Sequence, residues 1–200
     1  MIKTVLFDLG NVIVPFDFKR AYARLQPLLS YDVTELPKRL RSTDLIYRFE
    51  TGRITAREFV REFSTTLQLA VDYDEFCSIW TSVFLAETLI QEPLVEALAR
   101  RHRLMILSNT NPIHFEMIQA NYPLLRHFHH CVLSYQVGAV KPSAEIFDEA
   151  IARAQCAAAE CFFTDDLAVN IDAARQHGMD AVLFQSAAQI EKELRSRGGL

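Results

Sequence analysis

Lys3-Thr4-Val5-Leu6-Phe7-Asp8-Leu9-Gly10-Asn11-Val12-Ile13-Val14 decides how the rest of the chain is read. Its apolar run of strand formers is the pattern of a buried parallel strand. The run stops at a carboxylate, Asp8, and Gly10 and Asn11 after it suit a sharp turn. In open α/β sheets, ligands bind beyond the carboxyl ends of the strands. A carboxylate at that point sits on a rigid support and faces a crevice, where it can act as a nucleophile, a metal ligand or both.

The remaining sequence falls into two blocks. After an exit segment interrupted by Pro15, residues 18–86 read as helical, with no convincing strand. Short helices are expected over 18–29, 34–41 and 43–50, with Gly52 as a turn. Thr55-Ala56-Arg57-Glu58 is a capping box ahead of the stripe Phe59, Val60, Phe63 and Leu67. A further helix begins at Asp72, with Phe76, Ile79, Trp80, Val83 and Phe84 on one face. From residue 87 strands and helices alternate. Strands are expected at Arg103–Leu107, Phe128–Leu133, Cys161–Thr164 and Ala181–Phe184. Asn111-Pro112, Ser143 and Ser186 are read as helix starts, Ile90, Leu94, Val95 and Leu98 as a helix stripe, and Gly178 as a helix stop. The alternation predicts a mostly parallel sheet with helices on both faces.

Composition narrows the function classes. Two hundred residues, half of them hydrophobic, suffice for one core with a sizeable insertion. A net charge of −4 offers no basic stripe for nucleic acid. Cys77, Cys131, Cys156 and Cys161 form no C-x-x-C pair, so free thiols are expected. No apolar run is long enough to span a bilayer. The start of a strand at residue 4 leaves no room for a signal peptide, so a cytoplasmic location is expected. His127, His129 and His130 form a cluster in sequence, but adjacent histidines on a strand point to opposite faces. A surface loop and strand edge is the expectation there.

Asp8, Ser108 and the pair Asp165-Asp166 each follow an apolar strand, and Lys141 lies in the loop Gly138–Pro142 just before a helix. A doubly wound sheet can bring all four to one edge. Three carboxylates with one lysine in a dry crevice call for a divalent cation, and the cation with the lysine calls for a dianion. Oxygen ligands of this kind favour Mg²⁺.

FDLGNVIV, LSNTN, GAVKP and FFTDD resemble the four motifs of the haloacid dehalogenase-like (HAD) hydrolase superfamily, over essentially the whole chain. The DLGN form is similar to the branch holding the bacterial α-glucose-1-phosphate phosphatase and relatives of the phosphatase domain of soluble epoxide hydrolase. The resemblance implies an α/β HAD-like Rossmannoid core at 1–16 and 87–200, with residues 17–86 as a helical, C1-type cap. It implies a Mg²⁺-dependent phosphatase acting on a small phosphorylated metabolite. Asp8 would be the nucleophile and would form an aspartyl-phosphate. Asp8, the Gly10 carbonyl and Asp166 would hold the metal, with Asp165 beside them and Asn170 in support. Ser108 and the Asn109 backbone would bind the phosphoryl group, and Lys141 would neutralise it and keep Asp8 ionised.

One position departs from the pattern. The phosphatases of this family carry a second aspartate two residues after the nucleophile, as general acid and base, where this chain has Gly10. Asp17 is the nearest replacement in sequence. Two other functions share the remaining motifs: a 2-haloacid dehalogenase, and a catalytically weak protein that binds a phospholigand or a partner. Tyr47, Arg48 and Glu50 are candidates to face the substrate.

Overall fold

The structure, a computed structural model, describes residues 1–200. Five strands form one sheet: β1 (Thr4–Phe7), β2 (Arg103–Ser108), β3 (His130–Leu133), β4 (Cys161–Asp165) and β5 (Asp180–Leu183). Their order is β3-β2-β1-β4-β5, and every pairing is parallel. β1 is central because its four residues are buried on both faces. Parallel strands of this kind need helices above and below them. Two apolar clusters supply those layers. Val5, Phe7, Leu104 and Ile106 point to one, and Leu6, Met105, Leu107 and Phe163 to the other. The third and fifth strands begin later or earlier than their sequence pattern indicates, at His130 and Asp180.

Helices α1 (Phe18–Leu25), α2 (Leu36–Arg41), α3 (Leu45–Glu50), α4 (Ala56–Leu67) and α5 (Tyr73–Thr81) lie between β1 and β2. They enclose a cluster of their own, with Phe49, Phe59, Phe63 and Phe76 at its centre and Ile113 joining from outside the block. The capping box forms: Thr55 Oγ1 accepts from Glu58 N, and Glu58 accepts from Thr55 N at 2.8 Å. Two expectations here fail at their ends. Helix α1 stops at Leu25 because Pro27 follows, and a 3₁₀ turn takes over. Val83 and Phe84 lie beyond α5, whose last turn closes at Ser82. They belong instead to the return segment. Asp17 N donates to Val83 O and Leu85 N to Pro15 O, so the two connections to the helical block run side by side.

The second half continues with α6 (Glu92–Ala99), α7 (Pro112–Asn121), α8 (Ser134–Val137), α9 (Ala144–Ala154), α10 (Ala168–Gln176) and α11 (Ala187–Ser196). Asn111 caps α7 through His114 N, and Ser186 caps α11 through Gln189 N. Ser143 stands at the cap position of α9, but its hydroxyl accepts nothing from the helix. Ile90 precedes α6 rather than joining it. Gly178 takes φ +83° just past α10, the left-handed geometry that suits glycine. All four cysteines are free. No helix is long and apolar enough to cross a membrane. The histidine cluster is dispersed: His127 Nε2 meets Glu92 at 2.9 Å, and His129 Nδ1 accepts from Leu104 N.

Candidate active site

β1, β2 and β4 all run parallel, so their carboxyl ends share one edge of the sheet. Asp8 follows the last residue of β1, Ser108 ends β2, and Asp165 ends β4. Register aligns Phe7 with Ile106 and Thr164, so the polar residues after each strand arrive together. Lys141 joins them from the loop between α8 and α9. Its ammonium lies 2.9 Å from Asp8 Oδ1 and 2.5 Å from Asp165 Oδ2, and it donates to Leu107 O at 2.8 Å.

The lysine loop is fixed by a side chain acting on backbone. Asn109 Oδ1 accepts from Lys141 N at 2.7 Å, and Asn109 Nδ2 donates to Lys141 O at 2.9 Å. This pair ties the end of β2 to the lysine. Asp165 is fully buried and has all its acceptor capacity engaged. Oδ1 accepts from Leu167 N and Asn170 Nδ2, and Oδ2 from Lys141 and Asn170 Nδ2. Asn170 thus supports Asp165, not Asp166. Asp166 is half-buried, and Asn11 Nδ2 approaches its Oδ2 at 3.5 Å. Asn11 holds φ +53°, a conformation that asparagine tolerates, and its Oδ1 accepts from Phe16 N.

Carboxylate oxygens of Asp8, Asp165 and Asp166 lie within 4.8 Å of one another. Three carboxylates against one ammonium leave an excess of negative charge, and the titration behaviour reflects it. Burial pushes Asp8 up to about 6; Lys141 opposes this and Asp165 adds to it. Burial and Asp165 also raise Asp166. For Lys141, burial works to lower the pKa, but Asp8 and Asp165 outweigh it and hold the ammonium charged. The donor set is hard, anionic oxygen, which fits a Mg²⁺-like cation.

Above this cluster lies a cavity of about 320 Å³. Its floor is Leu9, Gly10, Ser108 and Asn109, and its upper wall comes from α1, α2 and α3, with Trp80, Phe84 and His114 at the side. Of the three helical-block candidates only Glu50 lines it. Tyr47 is exposed under the Arg53 guanidinium, and Arg48 pairs with Glu62 at 2.9 Å. Asp17 is exposed and caps α1 through Lys19 N, outside the cavity lining. Two lining residues escaped sequence reading. His114 sits one turn into α7, and its ring nitrogens meet Asn111 and Trp80 O. Phe16 covers Gly10: a β-carbon there would fall 2.9 Å from its ring. Neither carries a local sequence signal.

This arrangement has relatives. The sequence pattern of the haloacid dehalogenase-like hydrolases matches residues 2–178. A D-ribitol-5-phosphate phosphatase of Bacteroides thetaiotaomicron is 28% identical over 97% of this chain and 97% of its own. A HAD family enzyme of the same organism, solved with magnesium and inorganic phosphate, superimposes with a TM-score of 0.84 at 24% identity, over 93% of this chain and 96% of that one. A HAD-like family hydrolase from Porphyromonas gingivalis gives 0.82 at 26% identity, over 98% of both chains. With its parallel sheet and its acidic edge, the chain belongs to the haloacid dehalogenase-like hydrolase family.

Proposed function

We propose that this protein is a Mg²⁺-dependent phosphatase for small phosphate monoesters, working through an aspartyl-phosphate on Asp8. The observation that carries the reading is Lys141 held between Asp8 and Asp165 beside the free face of Asp166. A 2-haloacid dehalogenase shares the nucleophile but has no use for the acidic pair. The phosphatase relative supports the same choice.

In this reading Asp8, the Gly10 carbonyl and Asp166 hold the metal. Asp165, saturated by Asn170 and Lys141, fixes the lysine instead of ligating. When bound, Mg²⁺ screens the phosphoryl oxygens and offsets the excess negative charge that raises Asp8. Asp8 attacks phosphorus in its ionised form, and Lys141 keeps it so. Lys141 and Ser108 hold the phosphoryl oxygens, and the Asn109 backbone extends that cradle. Phosphoryl transfer depends on positioning and charge stabilisation of this sort. Residues 17–86 act as the lid, hinged at the paired segments Pro15–Asp17 and Val83–Leu85. Closure would exclude water and complete the cavity.

The cavity also limits the alcohol portion. Glu50 is the one charged residue among those lining it, and no lysine or arginine is present there. A second phosphate or a carboxylate on the substrate would find no partner. The expected substrates are uncharged sugars or polyols bearing a single phosphate.

The test is phosphate release from a panel of sugar, polyol and aryl monoesters, with Mg²⁺ or EDTA, beside Asp8→Asn. Release that needs both the metal and Asp8 supports the reading. Halide release from 2-haloacids without metal would replace it, and tight phosphate binding without turnover would favour the binding-protein alternative.

A further inference from the structure

The aspartate that the family pattern places two residues after the nucleophile is absent here, and a side chain at that position would have to displace the Phe16 ring. Phe16 occupies the space beside Gly10. A monoester of an ordinary alcohol nevertheless needs a proton on its leaving oxygen. The cavity must supply one from elsewhere.

We propose that Glu50 is that acid, and that it then serves as the base for water. The proposal rests on the phosphatase reading above. Glu50 is the only carboxyl group among the residues lining the cavity whose floor is Gly10, Ser108 and Asn109. Every other buried or half-buried carboxylate at this end of the sheet has a partner in Lys141, Asn170 or Asn11. Glu50 has none: no hydrogen bond or ion pair engages it. The other titratable side chains in the lining are Tyr22 from α1 and His114 from α7. His114 has both ring nitrogens engaged and is kept neutral, its pKa pushed down to about 4 by burial. Of the elements packed on α3, α4 turns Glu62 to Arg48, and α8 carries no charged residue.

The position is also fixed against the core. At Gly52, two residues past Glu50, a β-carbon would lie 2.1 Å from Tyr135 O, so the chain passes directly over α8. Thr51 is buried, and its hydroxyl donates to Tyr47 O at 2.6 Å. The end of α3 is therefore docked beside the sheet edge. Burial raises Glu50 to about 7, where both protonation states are available at neutral pH.

The steps balance. As an Asp8 oxygen bonds to phosphorus, the bond from phosphorus to the leaving oxygen breaks, and that oxygen takes the Glu50 proton. Water then gives a proton to the Glu50 carboxylate while its oxygen attacks phosphorus. The bond from phosphorus to Asp8 breaks, phosphate departs, and both carboxyl groups are restored.

Two substrates isolate this role: a polyol phosphate with a poor leaving group, and 4-nitrophenyl phosphate, whose leaving group needs no proton. Glu50→Gln should lose about 10²-fold or more in kcat/KM, which reports the transfer to Asp8, on the polyol phosphate. The loss in kcat/KM on the aryl ester should be at least tenfold smaller, while its kcat falls and a burst of nitrophenolate appears, because the water step on Asp8 is common to both esters. Glu50→Asp should recover part of the polyol phosphate rate. Equal losses in kcat/KM on both esters, or a change confined to KM, would overturn the acid role and leave Glu50 a binding residue. An unchanged rate would remove it from the reaction. If the wild type shows no Asp8-dependent release from either ester, the phosphatase reading falls, and this role falls with it.

Discussion

The ring of Phe16 stands 2.9 Å from the point a β-carbon on Gly10 would occupy. Restoring the family's aspartate at position 10 is therefore a packing problem before it is a catalytic one. Gly10→Asp should destabilise the fold by roughly 1–3 kcal/mol, the usual cost of overpacking. Phe16 is half-buried and packs on Phe18 and Phe84, so Phe16→Ala will carry a cost of its own. In the double variant the two costs should add to less than their sum by about 1 kcal/mol, measured by urea denaturation. Strict additivity would show that Phe16 does not exclude the aspartate.

Lys141 is 4% exposed and sits between two buried carboxylates. Lys141→Met keeps the volume and removes the charge. Breaking a buried pair in this way is worth roughly 3–5 kcal/mol. Asp8, left facing Asp165 without the ammonium between them, should take up a proton more readily in the folded state than in the unfolded one. A raised carboxylate pKa contributes stability at low pH that is lost as pH rises through the folded value. The deficit against wild type should therefore be larger at pH 8 than at pH 5, read as the difference in Tm. A deficit that does not vary with pH would mean that only packing was lost.

Magnesium should stabilise the folded protein, because the unfolded chain has no assembled site. At 100 times its Kd the gain is about 2.7 kcal/mol. Asp166→Asn should abolish most of that shift. Asp165→Asn should lower the stability of the metal-free protein more than Asp166→Asn does, since Asp165 is fully buried and bonded to Lys141 and Asn170. Thermal melts with and without Mg²⁺ would separate the two carboxylates. Equal Mg²⁺ shifts in both variants would contradict the division of labour between them.

The sheet-edge half of this site was legible in the sequence because parallel strands announce their own ends. Asp8, Ser108 and Asp165 each stop an apolar run, and the topology does the rest. Lys141 was legible as a loop residue, although the Asn109 clamp that aims it was not. The cavity half was hidden for a physical reason. Along α3, Leu45 and Phe49 point into the helical core, which leaves Ile46 and Glu50 on the next stripe. Whether that stripe meets solvent or substrate depends on how Gly52 docks over Tyr135, a contact between residues far apart in sequence. Asp17 looked suitable through proximity in the chain, but its carboxylate is engaged in capping α1.

Glu50 and His114 place two opposed pH dependences in one cavity wall. Burial holds Glu50 at about 7 against an ordinary value of 4.5. Between those values the folded state keeps a proton that the unfolded state has released, so stability falls as pH rises from about 4.5 to 7. His114 is held near 4 against 6.5. Between those values the unfolded state binds a proton that the folded state refuses, so stability falls as pH drops from about 6.5 to 4. Each shift corresponds to about 3 kcal/mol, and in the wild type they largely cancel across the shared window. Single variants should expose them. Glu50→Gln should match wild type near pH 4.5 and exceed it by about 3 kcal/mol at pH 8. His114→Gln loses its bridge from Asn111 to Trp80 O at every pH, but its deficit should shrink towards pH 4.5. Urea midpoints across that range measure both. A Glu50→Gln gain that is absent at pH 8 would mean that the carboxylate already has a partner or bulk water in the free protein. An unpartnered carboxylate that weakens the resting fold is what a site kept open for a substrate proton requires.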